Sequence, residues 1–485
     1  MPGSAGQGLI PTCIRDIVSL VGFIEFYGAA GQVTGSLHRI QVNGVDILLE
    51  CGLFQGHRNE ANALNRRLPS WATQSECVVL SHAHLDHSGN LPSLVKAGFK
   101  GNVFCTPATR DLCSVMLRDS AVIQESDARY LNRRAKPGEE RVEPLYSTRD
   151  AERAVARMIL LPVHRPLSIA PGATLTFHHA GHVLGSAFVQ LDLEEKGKRT
   201  RLLFTGDVGR KELPLLDSPE IVDDVDVMLM ESTYGDREHA PFDEIDDELA
   251  RIIRETISRG GKVFIPTFAL ERAQEVLFSL ERLHERGLAP SVPIYIDSPL
   301  AIAVTEIYKL HPDSLSDEVC QRIVERNDPF SPPGLHYVSN VADSKSLQSS
   351  HEPAVIIAGS GMCEGGRILH HFRSGLGDEK NSVVIVGFMA QHTLGRRLVE
   401  GRRSVKILGV ERDVRASVHV LNGLSAHAGR TELIELVRRC GRSGSLRQVA
   451  LVHGEDEARE SLRRGLQEIG IGDVVLGMKG KQMAI

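Results

Sequence analysis

Ser81-His82-Ala83-His84-Leu85-Asp86-His87-Ser88-Gly89 places three imidazoles and a carboxylate within six residues, directly after the apolar run Cys77 to Leu80. Neutral imidazole and carboxylate are the donors that zinc takes at about 2 Å, and a loop at a strand end can fold such close neighbours onto adjacent ions. Alternate residues of an extended backbone point the same way, so His82 and His84 are expected to share one metal. Asp86 and His87 would then face a second. The competing reading is a chance group of solvated histidines, which the preceding apolar strand and the Gly89 turn disfavour.

Four donors do not complete two metal shells, so others are expected downstream at strand ends. His182 follows a β-like run in Phe177-His178-His179-Ala180-Gly181-His182-Val183-Leu184-Gly185-Ser186, and Asp207 follows Leu202 to Thr205. A carboxylate between two cations can bridge them at the separation of about 3.5–4 Å used in phosphoryl chemistry. Alone, His182 reads equally well as a structural histidine and Asp207 as a turn former. Together with the first stretch they point to a metal-dependent hydrolase.

The rest of the chain supplies the setting. With 485 residues, more than one core is expected. From Val21 onward short β-branched runs alternate with turns: Phe23 to Tyr27, Ser36 to Val42, Val45 to Leu49. Leu202 to Thr205 and Val225 to Met230 are nearly all apolar, as strands buried on both faces are. After Glu231 helix and strand alternate, with helical spacing over Asp243 to Arg259 and Leu270 to Arg286 and strands at Lys262 to Pro266, Pro293 to Ile296, Ala354 to Ala358 and Ser382 to Val386. That alternation predicts a parallel α/β layer.

A net charge of −6 excludes a protein that coats nucleic acid by bulk positive charge, so any such contact must be local. Arginine pairs at 66–67, 133–134, 396–397 and 402–403 are candidates, although such pairs are commonly solvated surface. The eight cysteines form no CxxC pair, which favours a reduced, cytoplasmic protein. No membrane span is expected, because no stretch of about 18 apolar residues occurs.

The order HxHxDH, His182, Asp207 resembles the metal-binding motifs of the metallo-β-lactamase fold, and the remainder of the chain is similar to its β-CASP branch of nucleases. Glu231 in Met230-Glu231-Ser232-Thr233-Tyr234-Gly235, His392 in Ala390-Gln391-His392-Thr393-Leu394-Gly395 and His427 in Leu424-Ser425-Ala426-His427-Ala428 are matched to the three motifs of that branch. The resemblance runs from about residue 23 to 453. It implies an α/β fold, an αββα sandwich carrying an inserted parallel α/β domain, divided as an N-terminal extension (1–22), a first sandwich part (23–236), the insertion (237–390) and a second sandwich part (391–485).

The same resemblance implies two zinc ions per chain, held by His82, His84, Asp86, His87, His182, Asp207 and His427. It implies hydrolysis of RNA phosphodiesters by metal-activated water with Asp86 as a base, and His392, oriented by Glu231, as general acid. His419 and His453 lie at or near strands and read as packing or supporting groups. Ser360 and Gly361, in Gly359-Ser360-Gly361-Met362-Cys363-Glu364-Gly365-Gly366, are expected to cradle a phosphate, with a glycine turn as the alternative. Arg272 is expected either to reach the RNA backbone or to be an exposed helix arginine.

Two positions depart from the family pattern. Glu50, in Leu49-Glu50-Cys51-Gly52, stands where the family usually has Asp, at a position expected to orient the metal ligands and water; Gly429 stands where many relatives carry Asp. The expected partner is single-stranded RNA, cut internally and, as a further option, from the 5′ end; a homodimer is compatible with the sequence. The alternatives are a small-molecule hydrolase of the same superfamily, a DNA-processing enzyme, and a low-activity RNA-binding partner subunit. The set Glu231, His392 and His427 weighs against the first, His427 against the second and the full ligand set against the third.

Overall fold

Apolar residues alternate with polar ones along His38–Val42 and Ala173–His179, so each strand buries one face, and two such faces close on each other. In the computed structural model they belong to two seven-stranded sheets. The first runs Gln482–Ala484, Phe23–Phe26, His38–Val42, Val45–Leu49, Cys77–Val79, Asn102–Cys105, Met158–Leu160. The second runs Asp473–Leu476, Gln448–Leu451, Val227–Met230, Lys198–Phe204, Ala187–Glu195, Ala173–His179, Leu167–Ala170. Ile24, Ile40, Leu49, Val79, Phe177, Leu191, Phe204 and Leu229 fill the space between them. The structure describes residues 22–485 apart from 57, 137, 212, 240–242, 289–290, 388, 422 and 424, so the expected extension 1–22 lies outside the described residues but for Gly22.

Helices cover both outer faces, giving αββα layering. Arg430–Cys440 and Asp456–Glu468 bury Leu433, Val437, Leu462 and Leu466 against Met228, Met230 and Val449 of the second sheet. On the other side Pro107–Arg134, capped by the Thr106 hydroxyl on the Thr109 amide, buries Leu112, Met116 and Leu117.

Between Val227–Met230 and its parallel neighbour Gln448–Leu451 the chain leaves the sandwich and builds a third sheet. Its order is Leu335–Tyr337, Ile294–Ile296, Val355–Ala358, Val263–Pro266, Ser382–Ile385, Ser417–Val420, every pairing parallel. The predicted helices flank it as Asp243–Ser258 and Arg272–Glu285. The expected end of the insertion at residue 390 is too early by strand pairing, because Ser417–Val420 still belongs to this sheet. A strand reveals its sheet only through its neighbour, and Ser417–Val420 is too short to announce one. The insertion docks on the sandwich through one continuous core that joins Leu112 and Leu117 to Leu277 and Tyr308. No helix among the described residues is long and apolar enough to cross a membrane.

Candidate metal centre

Six strands of the sandwich end at one edge, and the residue chemistry changes at each end. Leu49 leads to Glu50, Val79 to His82, His179 to His182, Phe204 to Asp207, Met230 to Glu231, and Leu451 to His453. Strand hydrogen bonding fixes the backbone up to those points, so the side chains beyond them converge. The turn carrying His84 to His87 is pressed onto the first of these ends: Ser36 N donates to Asp86 O (2.8 Å), Cys51 N to His87 O (2.8 Å) and Leu53 N to Leu85 O (2.8 Å). Gly52 permits this approach, since a Cβ there would stand 1.6 Å from Asp86 O.

His82, His84, His182 and Asp207 form one donor group. His82 Nε2 lies 3.1 Å from His84 Nδ1 and 3.4 Å from Asp207 Oδ2; His182 Nε2 lies 3.4 Å from His84 Nδ1 and 3.4 Å from Asp207 Oδ2. Donors at zinc-bond length in a tetrahedron stand about 3.3 Å apart, so the separations fit such an ion. Burial pushes His82 down to about 3 and His84 to about 4 and holds His182 well below the ordinary value, leaving neutral rings with lone pairs to offer. Ser81 Oγ, 2.9 Å from His82 Nδ1, orients that ring with Nε2 inward.

Asp86, His87 and His453 form a second donor group, with the other oxygen of Asp207 beside it. His87 Nε2 is 3.1 Å from His453 Nε2 and 3.3 Å from Asp207 Oδ1, and His453 Nε2 is 3.4 Å from Asp86 Oδ2. Asp207 therefore faces one group with each oxygen, as a bridging carboxylate must. Burial acts to raise the carboxyls of Asp86 and Asp207, yet the surrounding imidazoles hold both below the ordinary range. Asp207 Oδ1 and His182 Nδ1 are buried without a hydrogen-bond partner. A protein interior tolerates such groups poorly unless something else satisfies them, and a metal ion held by these donors would do so.

Glu50 lies behind the centre, fully buried. Its Oε1 accepts from Ser81 N at 2.8 Å and its Oε2 stands 3.3 Å from His87 Nδ1, the placement of a carboxylate that orients a metal-binding imidazole. Its backbone takes φ 66, which few residues other than glycine adopt at low cost.

The structure gives Glu231 a different partner from the one expected. Its carboxylate accepts from Val208 N (2.7 Å), Thr233 N (3.1 Å) and His427 Nδ1 (3.0 Å). His427 is held by the bridge Gly209↔His427 and lies over the centre, its ring centroid 4.5 Å from that of His182 and 6.3 Å from that of His453. His392, expected beside Glu231, is exposed and sits just before the helix Leu394–Val399. His453, read from sequence as packing, stands among the donors in the place expected for His427. The missed signal was its position: like His82 and Asp207, it directly follows an apolar strand.

Arg272 is neither exposed nor unengaged: it is buried and its Nη1 pairs with Glu275. Its Nε has no hydrogen-bond partner. Ser360 Oγ accepts from Glu364 N (3.1 Å) and Gly365 N (3.2 Å), so the hydroxyl closes its own loop. Gly361 packs under the ring of Phe268, which is 41 % exposed; a Cβ on Gly361 would meet that ring at 2.5 Å.

Two donor groups sharing one carboxylate at the strand-end edge of an αββα sandwich define a metallohydrolase of the metallo-β-lactamase fold, with a metal cofactor. The Beta-Casp domain family matches residues 273–398, and the Zn-dependent metallo-hydrolase RNA specificity domain matches residues 411–476. Ribonuclease TTHA0252 of Thermus thermophilus is 39% identical over 431 residues, 89% of this chain and 93% of that protein. Transcription termination factor FttA of Methanocaldococcus jannaschii is 32% identical over 456 residues, 91% of this chain and 69% of that protein. A crystallised protein of unknown function from Enterococcus faecalis shares the fold, with a TM-score of 0.53 at 12% identity over 96% of this chain and 100% of that one. The chain belongs to the β-CASP family of the metallo-β-lactamase superfamily.

Proposed function

We propose that the protein is a zinc-dependent ribonuclease that hydrolyses phosphodiester bonds in single-stranded RNA, with His427, backed by Glu231, as the proton donor to the leaving oxygen. The observation that carries this reading is the 3.0 Å contact between Glu231 Oε1 and His427 Nδ1 directly above two convergent donor groups. A relative named as a ribonuclease and the match to an RNA specificity domain support RNA as substrate.

His82, His84, His182 and Asp207 would hold one zinc, and Asp86, His87, His453 and the shared Asp207 the other. Bound there, the ions supply Lewis acidity toward the phosphoryl oxygens and acidify water near neutral pH. Asp86, kept ionised by its imidazole neighbours, is positioned to take a proton from water at the centre. Both oxygens of Glu231 accept from backbone amides, so Nδ1 of His427 donates to it and Nε2 is left to exchange a proton with the substrate. Glu231 and Asp207 hold His427 up at about 9 against burial, and bound cations act in the opposite direction, toward the neutral range where a general acid is most effective.

His427→Ala is expected to slow cleavage about 10²–10⁴-fold while two zincs remain per chain, whereas His453→Ala loses zinc and His392→Ala does far less to the rate. Zinc loss in the His427 variant sinks the assignment. Following RNA labelled at either end distinguishes internal cuts from 5′–3′ removal.

A further inference from the structure

On the flank of the sandwich, outside the centre just described, His164, His178 and Glu220 bring three donor atoms within 4.8 Å of one another. His164 Nε2 lies 2.8 Å from Glu220 Oε2, and His178 Nδ1 lies 3.4 Å from the same oxygen. The side chains are 55%, 17% and 30% exposed in the order His164, His178, Glu220, so the group is reachable from solvent, unlike the buried centre.

The hydrogen bonds behind His178 fix its tautomer. Asp192 accepts from Arg201 Nε (2.7 Å) and from Gln190 Nε2 (2.8 Å), which turns the Gln190 amide so that its Oε1 faces His178 Nε2 at 2.9 Å. Oε1 only accepts, so Nε2 of His178 carries the proton. With Nε2 as the anchored donor, Nδ1 of His178 faces the Glu220 carboxylate at 3.4 Å, where a cation between them would be held by both. His178 and His164 hold the Glu220 carboxyl down at about 2 against its partial burial, so it is anionic across the neutral range. An imidazole whose outer nitrogen is anchored to a carbonyl while the inner one meets an anion is the arrangement that supporting hydrogen bonds impose on metal-binding histidines.

We propose that His164, His178 and Glu220 form a separate binding site for one divalent transition ion of the zinc class, distinct from the catalytic pair. Two imidazoles and one carboxylate select such an ion over calcium or magnesium, which take oxygen donors. Water fills the remaining positions, as the exposure of His164 allows. The site is structural: it ties three segments that are otherwise joined by few bonds, including His164 N to Phe177 O (2.8 Å) and Glu220 N to His179 O (3.0 Å). The Glu220 segment packs against the catalytic loop as well, since a Cβ on Gly181 would stand 2.5 Å from Asp217 O. Occupancy therefore stiffens the backbone that carries His182.

The test compares the full-length native protein with His164→Ala and, separately, Glu220→Gln, each dialysed at pH 8 against a series of free zinc concentrations. The native chain is expected to bind one equivalent more than either variant, filled at higher free zinc than the buried centre, with a rise in thermal midpoint over the same range that both variants lack. Magnesium at the same concentrations should produce neither change. Equal zinc stoichiometry in all three proteins overturns the proposal and leaves a proton as the cation between His178 and Glu220. Because the readout is a difference between native and variants, it stands apart from whether the buried centre holds two zincs.

Discussion

Asp207 in the sandwich and Asp297 in the inserted sheet are both buried carboxylates at the carboxyl end of a strand, and their surroundings differ in one respect. Asp297 is saturated by protein: Arg367 Nη1 at 2.6 Å, Ser344 Oγ at 2.6 Å and His371 Nε2 at 2.7 Å. Asp207 is ringed by imidazole nitrogens at 3.3–3.4 Å, and its Oδ1 has no hydrogen-bond partner. The first is a closed network that ties the end of Ile294–Ile296 to the helices Val341–Ser349 and Ile368–Gly375 through Ser344, Arg367 and His371. The second is a set of donors left open, as a metal-binding group is. The difference teaches that a buried acid near histidines marks a metal site only when its bonding capacity is left open.

Four substitutions probe that contrast. Asp207→Ala should have the largest effect: cleavage falls to background and zinc is lost from both groups, read by metal analysis beside an RNA assay. Retention of two zincs would show that the carboxylate does not bridge. Asp297→Ala should cost about 1–3 kcal/mol in denaturant unfolding, because it leaves the buried His371 ring and Ser344 hydroxyl without their acceptor, while zinc content stays as in the native chain. Zinc loss there would blur the distinction between the two networks.

Glu271 sharpens the comparison within the insertion. Burial and the neighbouring Glu275 push its carboxyl up to about 8, and Tyr308 donates to it. A carboxyl raised in the folded state contributes stability that is fully present below its unfolded value near 4.5 and is lost as pH rises through 8. Glu271→Gln is therefore expected to gain roughly 2–4 kcal/mol relative to the native chain between pH 5 and pH 9. Parallel pH profiles of unfolding for the two proteins would dismiss the buried neutral acid. Glu50→Asp should have the smallest effect, a change of rate within about tenfold. A larger gain would mean that the longer side chain misplaces His87; no change means that φ 66 and the contact to Ser81 N already accommodate it.

The run from His82 to His87, His182 and Asp207 was legible as a candidate metal set because each lies just beyond a strand end, a pattern local to the chain. The pairing of Glu231 was not. His392 and His427 are both single histidines in short polar loops after it, and only strand order decides which one meets the carboxylate. Arg272 was equally opaque, since a helix arginine looks the same in sequence whether its helix faces solvent or, as here, buries it against Glu275.

By itself the sequence pointed to a β-rich opening, a parallel α/β layer after it and six candidate donors at strand ends, because hydrophobic period and strand-end polarity are properties of neighbours along the chain. Only the tertiary structure decided that His453 joins the second donor group, that Glu231 backs His427, that the inserted sheet extends to Val420, and that His164, His178 and Glu220 meet at all. Those facts depend on which strands lie side by side, and register between distant segments is set by packing across sheets, which no local pattern encodes.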